Sequence, residues 1–184
     1  MKLKHLVPVL VVATLALTAT SGRAEGLKFI PVLDSGFKFA PTLAVSAGAM
    51  NVRDGRDDID FVYGLDFNFN CILFQTPENH MRTHVQINHS DNAGAKSTSF
   101  ELAPRYTLPI GSGFAVNLGP VVALVLADYG TADANLFGYG GVGGLEFRSG
   151  IFYSGLDLRY LNTTKSNSVQ LENWALLAKA GINF

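Results

Sequence analysis

SFELAPRYTL, residues 99–108, alternates without a break. Phe100, Leu102, Pro104, Tyr106 and Leu108 make one row, and Ser99, Glu101, Ala103, Arg105 and Thr107 make the other. A period of two belongs to the β-strand, where successive side chains point to opposite faces. The stretch is therefore a strand with one apolar face and one face carrying a Glu and an Arg. Which face meets the surroundings decides the kind of protein.

The same rhythm runs outward in both directions. After the turn formers of PIGSG come FAVNLGPVVALVL (114–126) and LFGYGGVGGLEF (136–147), the second with a glycine-rich inner row that ends at Glu146. FYSGLDLRYL (152–161) sets Phe152, Leu156, Leu158 and Tyr160 against Tyr153, Gly155, Asp157 and Arg159. The closing stretch 170–184 sets Trp174, Leu176, Ala178, Ala180, Ile182 and Phe184 against Asn173, Ala175, Lys179 and Asn183. Upstream, MRTHVQIN (81–88) puts Arg82 and His84 on the polar row. FVYGLDFNFNC (61–71) puts Asp66 there and Cys71 on the apolar row, and APTLAVSAGAMN (40–51) is compatible with a first strand. That predicts eight strands of about the ~9–11 residues a tilted membrane strand requires.

Two kinds of connection alternate. VRDGRDDID, SDNAGAKST, DYGTADAN and NTTKSNSV are polar and longer, whereas TPENH, PIGSG and RSG are short and rich in Pro and Gly. Outer-membrane barrels show this asymmetry, with short periplasmic turns and longer extracellular loops. It predicts both chain ends on the periplasmic side. Residues 25–38 are predicted to be a periplasmic lead-in or an extension of the first strand.

The first 24 residues have the three parts of a secretory signal. Lys2, Lys4 and His5 are basic, LVPVLVVATLALTA is apolar but too short to span a bilayer, and Gly22 and Ala24 are the small residues before a cut after Ala24. No Cys lies near that cut, which excludes a lipoprotein anchor. The expected division is a cleaved signal at 1–24 and a single barrel domain at 25–184. Loss of Lys2, Lys4 and Arg23 takes the net charge from −1 to −4, which leaves no basic footprint for nucleic acid. One cysteine, Cys71, cannot form an internal disulfide. It is expected to act as a small hydrophobe. Hydrophobic residues make up 48% of the chain and charged ones 16%, yet no later apolar run is long enough for a membrane helix.

Alternation alone fits a soluble lipocalin-like barrel as well as a membrane one. The polar row is poor in Lys and rich in Gly, Ala, Ser and Asn, which suits a narrow filled interior. The apolar row carries Tyr63, Phe100, Tyr106, Phe114, Phe137, Phe147, Phe152, Tyr160 and Phe184 near strand ends, as interfacial girdles do. Facing Arg105, Arg159 and Lys179 to lipid near the midplane would cost about 2–4 kcal/mol each. Their sum rivals a domain's whole stability of about 5–15 kcal/mol, so the charged row is expected to point inward.

On the signal segment, the FELAPRYTLPIGSGFAVNLGP hairpin and the closing ENWALLAKAGINF, the chain resembles the small outer-membrane β-barrel proteins of Gram-negative bacteria, the OmpA/OmpX-type and porin-like barrel domains. The resemblance covers nearly all of 27–184. It implies an all-β, eight-stranded, antiparallel up-and-down transmembrane barrel in the outer membrane, in contact with membrane lipid and lipopolysaccharide. It further implies that Phe184 is the signal read by the barrel-assembly machinery. The chain is expected to be a monomer, with an extracellular partner possible at its loops.

Within the lumen, Asp66, Arg82, Glu101, Arg105, Glu146, Asp157, Arg159 and Lys179 are predicted to form a network of paired charges, because a buried charge needs a partner. Arg148 lies on the same row. An ion path or polar binding site is the competing reading. INHSDNAG (87–94) invites comparison with outer-membrane lipid A deacylases, but His89 and Ser90 are adjacent and must face opposite sides of a strand. RDGRDDID lacks the spacing and final Glu of a calcium loop. His84 and His89 differ in parity, and His80 falls in a predicted turn, which leaves no metal-ligand spacing. No catalytic residue, cofactor or metal is expected. The favoured role is structural or in surface interaction. An enzyme acting on lipid A or phospholipid acyl chains, and a small diffusion pore, are the alternatives.

Overall fold

The computed structural model describes residues 26–52, 59–92, 95–128, 133–166 and 170–184, with the backbone alone at 92 and 95. The expected signal segment and most of RDGRDDID lie outside the described residues. Eight strands build the barrel: β1 (Thr42–Val52), β2 (Ile59–Asn70), β3 (Met81–Asn92), β4 (Ala95–Gly111), β5 (Phe114–Asp128), β6 (Asp133–Ser149), β7 (Phe152–Thr163) and β8 (Glu172–Asn183). Each is antiparallel to its sequence neighbours, and β8 pairs with β1 from Asn183–Thr42 to Asn173–Val52. The sheet is closed, so none of its strands is left as a template for aggregation.

Local chemistry sets the hairpins. Between β4 and β5 the register shifts at Pro109–Gly111, and Gly111 and Gly113 carry φ of 108° and 83°. A Cβ on Gly113 would lie 2.4 Å from the carbonyl oxygen of Arg148 as well as needing that left-handed backbone, so only glycine fits. The β4–β5 ladder is interrupted between the Leu102–Val122 and Tyr106–Leu118 pairs, where Pro104 and Pro120 lie. Proline has no N–H to donate there.

Several boundaries differ from the sequence expectation. SDNAGAKST is strand over most of its length and DYGTADAN at both its ends, with two residues between β3 and β4 and four between β5 and β6. Their polar residues alternate on both faces of a hairpin that needs no apolar row, so composition alone makes them look like loop. The β2–β3 connection is longer than TPENH, and Phe74–Gln75 within it forms a two-stranded sheet with Lys28–Phe29. The lead-in is thus a separate docked segment and not an extension of β1. Cys71 lies just past β2, buried, with its N–H donating to the carbonyl of Met81 at 2.9 Å.

The two rows separate as the charge argument requires. Leu65, Leu118 and Leu176 stand 50%, 57% and 50% exposed on the outside, whereas Arg105 and Asp66 are wholly buried. A soluble monomer does not present so extensive an apolar surface. Aromatics cluster at both ends of the outer band. Phe114 packs on Phe147 at 4.7 Å near the chain termini. Tyr160 on Trp174 (4.8 Å) and Tyr63 against His89 (5.5 Å) lie toward the other end.

Candidate functional site

Every strand contributes inward side chains, and the register stacks them in layers along the lumen. The layer nearest the termini is built around two arginines. Arg148, on β6, donates to Thr42 Oγ1 (2.7 Å), Asn183 Oδ1 (2.9 Å) and Asn68 Oδ1 (3.0 Å), and pairs with Glu146 at 3.3 Å. Its guanidinium also lies over the Tyr153 ring at 4.6 Å. Arg82, on β3, donates to Asn68 Oδ1 (2.8 Å), Asn70 Oδ1 (2.9 Å) and the carbonyl of Ala40 (2.9 Å). Thr42 Oγ1 further donates to Asn183 Oδ1 at 2.9 Å, so this layer ties the first strand to the last.

The middle layer holds the tightest charges. Lys179 Nζ lies 2.5 Å from Asp66 Oδ2 and 2.5 Å from Asp157 Oδ2. Arg105 Nη1 donates to the same Asp157 oxygen at 2.8 Å and to Asn117 Oδ1 at 3.2 Å. His84 Nδ1 donates to Asp66 Oδ2 at 2.9 Å, joined by Gln86 Nε2 at 3.2 Å. A Cβ on Gly144 would meet Asp157 Oδ1 at 2.4 Å, so this glycine of the inner row makes room for the carboxylate. A step higher, Arg159 pairs with Glu101, which also accepts from Ser99 Oγ (2.5 Å) and Asn88 Nδ2 (3.0 Å). Arg159 Nη2 reaches Asn173 Oδ1 at 3.2 Å.

All eight of the charged residues predicted for the lumen are buried and Arg148 is partly exposed; Asn68 Nδ2 joins the terminal layer to Asp66 at 3.5 Å, while Arg159 and Glu101 form a cluster of their own with Ser99, Asn88 and Asn173. What the sequence reading missed is the top of the stack. Toward the loop end the interior turns apolar, with Val121, Val125, Ala134, Leu136, Leu161 and Leu171 in one cluster and Met50, Val62, Ala175 and Leu177 in another. Val52 packs against both. The paired charges occupy the terminal and middle parts of the lumen, and mainly apolar side chains, with Ser90 and Thr163 buried among them, line the loop end. Parity placed these residues inside, but an inward Leu and an outward Leu look alike in sequence.

Some donors have no protein partner. Arg105 Nε and Nη2, Asn117 Nδ2 and Thr107 Oγ1 lie together on the facing parts of β4 and β5, below the main ion pairs. Groups like these are normally served by buried water.

The other candidates are placed plainly. His89 points outward, its Nδ1 2.9 Å from Thr98 Oγ1, while Ser90 points inward to Ser97 Oγ at 2.9 Å. They share no face for nucleophile and base. His80 Nδ1 meets Tyr106 OH at 3.1 Å on the exterior, at the opposite end of the β3–β4 pair from His89. Among the described residues no group of three or more His, Cys, Asp or Glu is placed to hold a metal ion. The Phe184 N–H donates to the carbonyl of Pro41 at 2.9 Å, and its ring is exposed at the outer rim.

Neither a protein-family model nor a curated protein matches the sequence. Solved structures do. Neisserial surface protein A is 18% identical with a TM-score of 0.66, covering 78% of this chain and 97% of that one. Ail, the attachment invasion locus protein of Yersinia pestis, is 13% identical with a TM-score of 0.50, covering 80% of this chain and all of that one. At such identities the likeness speaks to fold. The chain has the closed eight-stranded barrel of small outer-membrane proteins.

Proposed function

We propose that the protein is a non-conducting barrel of the outer membrane with a structural or surface-interaction role. The single observation that carries this reading is the lining of the lumen, paired charges in its terminal and middle parts and mainly apolar clusters toward the loops. A through-going pore needs a continuous polar path, and the buried Leu136–Leu161–Leu171 cluster toward the loop end argues against one. Against the enzyme alternative, His89 and Ser90 face opposite sides of β3, and His84 is buried against Asp66 among the paired charges of the lumen. In the proposed orientation both termini are periplasmic, the signal is removed after Ala24, and the four connections at the other end face outward. Phe184, beside the β1–β8 seam, is the contact offered to the assembly machinery.

The names of the two structural neighbours carry surface and attachment roles, and Ail is also known in complex with a heparin analogue, sucrose octasulfate. The RDGRDDID connection carries Asp54, Asp57, Asp58 and Asp60 against Arg53 and Arg56, so its balance disfavours a sulfated polyanion. A neutral or cationic partner suits it better.

The test has three readouts. Cell fractionation should place the protein in the outer membrane with heat-modifiable gel mobility. Planar-bilayer recordings should show no steady conductance. Incubation with lipopolysaccharide should release no acyl chain detectable by mass spectrometry. A large stable conductance or acyl release would overturn the reading.

A further inference from the structure

The lead-in is an ordered segment with its apolar side chains turned outward. Lys28–Phe29 pairs with Phe74–Gln75, and the N–H of Ile30 donates to the carbonyl of Leu73 at 2.8 Å. A short 3-10 turn, Pro31–Leu33, follows with Pro31 buried. The connection it docks on is itself braced. Gln75, wholly buried, accepts from the N–H of Met81 at 2.6 Å and donates to the carbonyl of the same residue at 2.8 Å. Further along, Asn70 donates from its N–H to the carbonyl of Phe39 (3.0 Å) and from its side chain to that of Lys38 (2.8 Å).

Yet the large side chains of this braced unit are not covered. Phe29 is 79% exposed and Leu33 81%, with Leu27, Ile30 and Leu73 each more than half exposed. Ile30 has φ 53°, a left-handed conformation that a β-branched residue rarely adopts. The chain holds that bend while presenting apolar groups to the outside, and a patch of this kind marks a surface that meets an apolar neighbour.

The patch continues the lipid-facing band. Phe39 stacks on Phe69 at 4.7 Å and approaches Phe67 at 6.3 Å, and Phe67 belongs to the outer row of β2. It lies at the end of the barrel where Phe114, Phe147, Phe152 and Phe184 form the aromatic rim. Lys28 and Lys38, both exposed, flank it, with one exposed carboxylate, Asp34, between them. Apolar side chains bordered by lysines suit the boundary between acyl chains and phosphate headgroups, where the ammonium groups reach the phosphates.

We infer that the lead-in and the β2–β3 connection form a foot that inserts into the phospholipid headgroup boundary of the leaflet at the terminal end of the barrel. The inference rests on the membrane reading above. It adds a second lipid contact outside the barrel wall, one that fixes the depth and tilt of the barrel by gripping the interface on the β1–β3 side.

The sequence contains one tryptophan, Trp174, which lies on the outer wall toward the opposite end and reports independently on the barrel. The test uses protein purified from the outer membranes of cells expressing the whole sequence, placed in phosphatidylcholine vesicles brominated either near the headgroup or near the bilayer centre. In the Phe29→Trp, Trp174→Phe variant, emission should be quenched more by shallow bromines than by deep ones. Adding Leu33→Asp should reduce that quenching while the native Trp174, probed without the Trp174→Phe change, stays quenched. If Trp174 is quenched and the tryptophan at position 29 keeps full emission in every lipid, the foot is refuted and the membrane barrel stands. Emission at position 29 that changes with protein concentration and ignores the bromines points to a second copy covering the patch, and also refutes it. Absence of quenching at both positions overturns the membrane reading together with the foot.

Discussion

Replacing Lys179 with Met should be among the most damaging single changes to barrel stability. The ammonium is wholly buried between Asp66 and Asp157, 2.5 Å from each. Methionine keeps the approximate volume and removes the charge. Breaking a buried pair by deleting one partner generally costs about 3–5 kcal/mol. Here Asp157 retains Arg105 at 2.8 Å, and Asp66 retains the hydrogen-bonding partners His84 and Gln86. The expected cost is therefore at the lower end, about 3 kcal/mol, roughly a 150-fold change in the unfolding equilibrium. The physical cause is charge balance, so a second substitution should reveal it. With Asp66→Asn added to Lys179→Met, one positive and one negative charge leave together, and Arg105 and Asp157 remain a neutral pair. The double variant should be more stable than the sum of the two single losses predicts, by about 1.5–3 kcal/mol of coupling. Urea titrations in lipid vesicles, with folded and unfolded protein separated by gel mobility, measure all four proteins. A loss under about 1 kcal/mol for Lys179→Met, the range of an exposed pair, would refute the reasoning. So would strict additivity.

The seam layer makes a second prediction. Arg148→Met removes donors to Thr42, Asn183 and Asn68 and strands Glu146, and should cost about 1–3 kcal/mol in the same titration; no change would show that the β1–β8 backbone ladder alone closes the barrel. Leu136→Ala, in the apolar layer, should cost about 2–5 kcal/mol and still give no conductance, whereas a stable pore would mean that this one side chain seals the lumen. Phe184→Asp should lower outer-membrane levels in cells far more than it impairs refolding from urea into micelles. The lost apolar contact is worth at most about 1.5–3 kcal/mol, so equal levels in cells would reduce Phe184 to an ordinary lipid-facing residue.

The sequence by itself determined the row structure. Alternation is a property of the extended backbone, and Asp66, Glu101, Arg105, Asp157, Arg159 and Lys179 share one parity along their strands, so the cost of charge in lipid was enough to send them inward. It also determined the number of strands, because Pro- and Gly-bearing turns punctuate the alternation. Partnership was another matter. Lys179 meets Asp66 across 113 residues of sequence, and Asp157 meets Arg105 across 52. Parity says that such groups face the lumen and nothing about their height in it, which depends on the stagger of every strand round the closed wall. Three other features were settled only in three dimensions. The polar ends of β3 to β6 lack the apolar row that marks a membrane strand, the inward leucines of the loop end are indistinguishable by type from outward ones, and the lead-in holds its place through backbone bonds to Leu73 and Asn70. Each depends on which distant backbone or side chain lies alongside, and a two-residue period carries no information about that.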